Sequence, residues 1–233
     1  MSDPRQIIAM GGGGFTMEPE NPALDKYVLA AARKAMPAVG FLATASGDSE
    51  AYIEHFYASF ATLPCKPSHL PLFSRTPGLR DYLLAQDVIY VGGGNTKSML
   101  GVWREWGLPE RLREAWEAGV VLAGVSAGAV CWFEAALSDA YEGRLRVIQC
   151  LGFLSGSCIV HYDSDPERRP EYHRRVSAGG IAPGLALDNS AAVHFLGDQI
   201  HRVVASRPGV TAYRVGVEKG LAREETLPVE HIV

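Results

Sequence analysis

Apolar residues in this chain gather in short blocks that end in glycine or other small residues, and longer stretches with helical spacing separate them. QIIAM (residues 6–10) reads as a strand running into Gly11–Gly14, and NPALDKYVLAAARKAM reads as a helix capped by Asn21 with Pro22 at its first position. AVGFLATAS is a second strand, EAYIEHFYASFATL a helix, HLPLF a short third strand and GLRDYLLAQ a short helix. DVIYVGGG is a strand that ends in the loop Gly92-Gly93-Gly94-Asn95-Thr96. TKSMLGVWREWG and LPERLREAWEAG are helical, and VVLAG is the strand that delivers Ser126. The pattern then predicts a helix from Ala127 that carries Cys131 and Glu134 and ends before Asp139.

Beyond residue 140 the alternation changes. RLRVIQCLGFL and CIVHYD look strand-like, PERRPEYHRRVSAGG is polar, and GLALDNSAAVHFLG, IHRVVASR and TAYRVGVEKG read as closing strands. Strands alternating with helices imply an α/β fold with a mostly parallel sheet, helices on both faces and functional loops at the carboxyl ends of the strands. The chain shows no linker, repeat or low-complexity tract, so residues 1–233 are expected to form a single α/β domain.

Composition narrows the function classes. A chain of 233 residues with 47% hydrophobic and 21% charged residues is ordinary for a globular enzyme. The net charge of -4 comes with interspersed acids and bases and no basic stripe, which argues against a nucleic-acid partner. No apolar run is long enough to span a bilayer, and the N-terminus has no signal-peptide pattern. Cys65, Cys131, Cys150 and Cys158 lack CxxC spacing, which argues against a zinc site or a disulfide framework and for a reducing, cytoplasmic compartment.

The chemistry concentrates in Gly124-Val125-Ser126-Ala127-Gly128. A serine hydroxyl is a weak nucleophile unless it projects into a site beside a base. A G-x-S-x-G turn between strand and helix provides that projection, and the N–H of Ala127 then lies where an oxyanion donor belongs. The GGGNT loop is a second source of a free N–H, at Gly93 or Gly94. Gly11–Gly14 lack the spacing of a phosphate-binding loop and read as a tight strand exit that lines a cleft.

Of seven histidines, His161 stands at the carboxyl edge of a strand-like run and is the preferred base. A third member should be a carboxylate that orients the imidazole. Glu134, Asp139, Asp163 and Asp188 are candidates. Cys131, close behind Ser126, reads as buried packing.

DVIYVGGGNT, GVVLAGVSAGAVCWFEAALSD and LGFLSGSCIVHYD, in this order, resemble the peptidase E (aspartyl dipeptidase) family of serine peptidases, with cyanophycinase as a longer relative. IIAMGGGGF and FLATASGDSEAYIEHF extend the resemblance along nearly the whole chain. It implies a class I glutamine amidotransferase-like (flavodoxin-like) three-layer sandwich. It makes Ser126 the nucleophile, His161 the base, Glu134 or Asp139 the acid, and Gly94 and Ala127 the oxyanion donors, with Asn95 and Thr96 lining the substrate site. It further implies removal of an N-terminal aspartate from short peptides, with Arg168 or Arg169 pairing with the aspartyl carboxylate. No metal or other cofactor is required, and a homodimer is compatible with it. Two competing readings are an α/β-hydrolase esterase, whose histidine would be His231, and a catalytically silent module binding an acidic ligand in the same pocket.

Overall fold

The computed structural model describes residues 5–233. In chain order the first part runs β1 (Gln6–Met10), α1 (Ala23–Ala31), β2 (Ala38–Leu42), α2 (Glu50–Phe60), β3 (Lys66–His69), α3 (Leu79–Leu84), β4 (Val88–Val91), α4 (Thr96–Glu105), α5 (Leu108–Glu117), β5 (Val121–Val125) and α6 (Ala127–Val130). The second part runs β6 (Phe133–Ser138), β7 (Arg146–Gln149), β8 (Leu154–Ile159), α7 (Arg168–Ser177), β9 (Gly184–Leu187), β10 (Ala191–Leu196), β11 (Gln199–Ala205), β12 (Ala212–Glu218), β13 (Leu221–Thr226) and β14 (Val229–His231).

These strands build two sheets. The larger has the order β14-β11-β10-β1-β5-β4-β2-β3, and its stretch from β1 to β3 is entirely parallel. Its inner strands are almost wholly apolar because both faces are covered, the buried exceptions being Gln6 on β1 and His194 on β10. Ile7, Ala9, Ile89, Val91 and Leu122 face α3, α4 and α5, whereas Ile8, Met10, Val88, Tyr90 and Ala123 face α1 and α2. The expected α/β arrangement with helices on both faces is therefore present. A second sheet of order β13-β12-β9-β8-β6-β7 is added to it, with β6, β8 and β9 parallel at its centre. Phe133, Ala136, Leu154, Cys158, Leu185 and Leu187 share the same apolar core as Ile7, Val91 and Leu122, so the two sheets are packed together. The outer face of the small sheet is covered by α7 through Tyr172 and Val176. Each such fully buried large side chain contributes roughly 1.5–3 kcal/mol.

Three expected elements are drawn differently. The third strand is Lys66–His69 and not HLPLF; it pairs only with β2 at the sheet edge, where Pro67 is tolerated because a missing N–H leaves no inner ladder broken. The helix after Ser126 lasts four residues, and Phe133–Ser138 is a strand. The polar segment near residue 170 is a helix whose buried stripe is Arg168, Tyr172 and Val176, four residues apart.

Asp25 on α1 is buried beneath Gly14 and accepts a hydrogen bond from the Tyr90 hydroxyl at 3.1 Å. Burial outweighs that bond and pushes its pKa up to about 6. A carboxyl with a raised folded pKa favours the fold when protonated, so its cost is absent below about pH 4 and fully present above about pH 6. The separation corresponds to about 3 kcal/mol at most. Asp25→Asn is expected to melt above the wild type at pH 7–8, with the difference in Tm shrinking towards pH 4; a difference independent of pH would contradict this origin.

Candidate active site

Ser126 follows β5 with φ 57° and ψ −114°, a strained conformation for a residue that bears a side chain. The flanking glycines are dictated by their neighbours. A Cβ on Gly124 would lie 2.2 Å from the Gly128 carbonyl oxygen, and one on Gly128 would lie 2.2 Å from that of Val91. With so short a helix behind the serine, little macrodipole is available. What the turn does provide is the N–H of Ala127, which has no protein acceptor among the described residues.

The small sheet brings His161 to the serine. β8 and β9 run parallel, with Cys158 opposite Leu185 and Ile159 opposite Ala186, and a Tyr162 N–H to Leu187 carbonyl bond (3.1 Å) prolongs the pairing. Residues that leave these adjacent carboxyl ends emerge side by side. His161 leaves the first with φ 55°, and Asn189 leaves the second. The Nδ1–H of His161 is donated to Asn189 Oδ1 at 2.6 Å, so Nε2 accepts from the Ser126 hydroxyl at 2.8 Å. Serine, histidine and asparagine thus form one hydrogen-bonded line across the junction of the two sheets.

The glycine-rich exit of β1 makes room for that line. A Cβ on Gly12 would lie 2.0 Å from Asn189 Oδ1, the atom that holds His161, and one on Gly11 would lie 2.2 Å from the Asp188 carbonyl oxygen. The asparagine is anchored on its other side as well. Its N–H donates to Asp163 Oδ1 at 2.9 Å. The next residue, Ser190, has φ 62°, donates its N–H to the Gly12 carbonyl and its hydroxyl to the buried Glu18.

None of the four candidate carboxylates accepts from the imidazole. Glu134 is on β6, facing away to accept the Gly156 N–H at 2.8 Å, because the segment after Ser126 extends instead of coiling. Asp139 is exposed and paired with Arg168 at 2.6 Å. Asp188 turns inward, accepting from the Thr211 N–H (3.0 Å) and the Tyr213 hydroxyl (3.3 Å), and burial raises its pKa. Asp163 reaches the line only through the backbone of Asn189. In the sequence Asn189 stands directly after Asp188, and its carboxamide takes the place expected of a carboxylate.

The expected substrate residues separate in the same way. Asn95 caps α4 by accepting the Ser98 N–H (2.9 Å) and donates to the Ala140 carbonyl, while Thr96 is buried in the first turn of that helix. Arg168 is buried between Asp139 and Asp165. Arg169 stays partly exposed, its guanidinium 4.6 Å from the Tyr162 ring centre and 5.0 Å from that of Tyr213, with Glu224 at 3.5 Å. Gly93 crowds Ser126, but its N–H is taken by the Tyr52 hydroxyl, whereas that of Gly94 has no acceptor among the described residues.

Other histidines have partners elsewhere: His55 the Phe15 carbonyl, His69 Tyr57, His173 Tyr162 and Glu224, and His194 Tyr27 and Gln6. His231 is on the edge strand β14 opposite Ala205, and the histidine that reaches Ser126 is His161, which removes the basis of the esterase reading. Cys131 is fully buried, and desolvation drives its thiol pKa well up, as expected for a packing residue. No helix among the described residues is long and apolar enough to cross a membrane.

Comparison with known proteins identifies the family. The model of peptidase family S51 matches residues 7–203. The uncharacterized peptidase YgaJ of Bacillus subtilis (strain 168) is 50% identical over 229 residues, which is 98% of this chain and 99% of the relative. A peptidase from an acI-B1 Actinobacterium superposes with a TM-score of 0.73 at 17% identity, covering 99% of this chain and 96% of that one. A candidate peptidase E from Listeria monocytogenes EGD-e gives a TM-score of 0.60 at 19% identity, covering 88% and 98% of the two chains. The two solved structures share the fold, and the family match over most of the length means that this chain belongs to peptidase family S51, the serine peptidases of the peptidase E family.

Proposed function

We propose that this peptidase removes an N-terminal aspartate from short peptides through an acyl-enzyme on Ser126. The observation that carries the chemistry is the unbroken line from Ser126 Oγ through His161 to Asn189, with links of 2.8 and 2.6 Å. Ser126 attacks the scissile carbonyl while His161 Nε2 takes its proton. The negative charge that develops on the carbonyl oxygen is met by the N–H groups of Gly94 and Ala127, each of which typically lowers the barrier by about 2.7–4 kcal/mol. His161 then protonates the leaving amine, and water enters by the reverse path to release the acid. Asn189 fixes the imidazole tautomer without adding a charge.

The aspartate preference is supported by the family and by one side chain. Arg168 already satisfies two carboxylates, so Arg169 is the guanidinium with capacity left. It sits on Tyr162, next to His161 in sequence, and beside Tyr213, which bonds the residue preceding Asn189.

Release of a reporter amine from Asp, Glu, Asn, Leu and Ala substrates tests this. The Asp substrate is expected to be cleaved fastest. Arg169→Ala is expected to raise KM for that substrate roughly 10- to 100-fold, the worth of one charge-assisted pair, while the Ala substrate changes little. Arg168→Ala is expected to lower the melting temperature and leave the preference intact, because its ion pairs are structural. A panel led by Leu or Ala would remove the aspartate specificity while leaving the serine chemistry.

A further inference from the structure

The Gly93 N–H is donated to a phenol, on the loop that carries the Gly94 N–H. Tyr52 on α2 reaches under the GGGNT loop. Its hydroxyl accepts the Gly93 N–H at 3.1 Å and lies 3.0 Å from the Thr16 hydroxyl. Since the phenol accepts from the backbone, its own proton is free for Thr16, and burial raises its pKa so that the proton stays on. The ring itself is held in place, stacked on Phe15 (5.7 Å, 24°) and edge-on to Phe41 (5.2 Å, 89°). Gly92 must be glycine here because a Cβ would come 2.8 Å from the Tyr52 ring.

Between its two ends the loop has no side chain of its own to orient it. Gly92, Gly93 and Gly94 carry no side chains, and Gly94 has φ +135°, where its Cβ would lie 2.3 Å from the Ala45 carbonyl oxygen. Three consecutive glycines give a flexible backbone, and an oxyanion donor works only when its direction is fixed before the charge develops. The Gly92 N–H to Leu42 carbonyl bond (3.0 Å) and the Asn95 N–H to Ala45 carbonyl bond (2.8 Å) secure the two ends of the segment, and the Tyr52 bond holds the peptide between them.

We infer that Tyr52 is a positioning residue of the oxyanion hole: by taking the Gly93 N–H it fixes the Gly92–Gly93 peptide plane, the base from which the following peptide presents the Gly94 N–H to the substrate oxygen. The inference rests on the acyl-enzyme reading of Ser126. It predicts a loss confined to the transition state. Tyr52→Phe keeps the ring and removes the acceptor; kcat is expected to fall roughly 10- to 100-fold, less than the 10²–10³ typical of deleting a donor outright, with KM within about twofold. A boronic-acid analogue of the best substrate, which places an oxygen in the hole as its tetrahedral adduct, is expected to weaken by the same factor. Substrate affinity measured in the Ser126→Ala background should be unchanged when Tyr52→Phe is added. Thr16→Val, which deprives the phenol of its acceptor, should show a smaller loss of the same kind.

Unchanged kcat and boronate affinity in Tyr52→Phe would overturn the inference while Ser126 stood as nucleophile. A loss of ground-state affinity and thermal stability in step with kcat would overturn it too, showing that Tyr52 supports the fold alone. Survival of activity in Ser126→Ala would remove both this inference and the reading beneath it.

Discussion

Ser126→Ala is expected to lose on the order of 10⁴- to 10⁶-fold in kcat on every substrate the wild type cleaves, while binding substrate with little change. The expectation follows from geometry and not only from the motif. Among the described residues His161 Nε2 has a single protein partner, the Ser126 hydroxyl at 2.8 Å, and the strained backbone of Ser126 has no other evident use. Cys131 offers no substitute, because its buried thiol has its pKa driven up and lies beyond the turn. The variant should also resist labelling by a fluorophosphonate that modifies the wild type. Residual activity within tenfold of wild type, or labelling that persisted, would place the nucleophile elsewhere.

Asn189→Ala is the second large effect, with an expected loss in kcat on the order of 10²- to 10⁴-fold. Without the carboxamide oxygen the imidazole loses the acceptor that holds the proton on Nδ1, and the tautomer that can accept from Ser126 is no longer favoured. Gly12→Ala should reproduce much of this loss with both residues intact in sequence, since the new methyl would lie 2.0 Å from Asn189 Oδ1 and displace it. Asn189→Asp separates geometry from charge. The acceptor returns and a negative charge is added beside the ring, so imidazolium is favoured and the acid limb of the pH–rate profile should move to higher pH. Wild-type turnover in Asn189→Ala would show that His161 is held by something other than this bond.

Much of the fold was legible because the inner strands of the large sheet are covered on both faces and therefore read as uninterrupted apolar runs, as in QIIAM, DVIYV and VVLAG. The elbow was legible for a related reason, since glycines crowded by the backbone leave their mark in the sequence. The stretch AVCWFEAALS was not. An apolar run rich in alanine and leucine has no period that separates a buried strand from a helix, and here pairing with β7 and β8 decided for the strand. That one difference moves Glu134 from behind the nucleophile to the far side of a sheet. Asn189 was hidden for a chemical reason: an amide can orient an imidazole as a carboxylate does, but a search for acids does not find it. The segment GLALDNSAAVHF, read as closing strands, crosses from one sheet to the other at Asp188–Ser190, and the site residue lies at that crossing.

Ser126 belongs to the larger sheet and His161 to the smaller one, which gives the refolding chain a built-in clock. Each sheet can acquire its hydrogen bonds while Ser126 and His161 are still apart, so backbone signals should recover before turnover does. Reactivity towards a serine-directed probe, sampled during refolding from denaturant, would then time the docking of the two sheets, a late and strongly non-local event that circular dichroism would pass over.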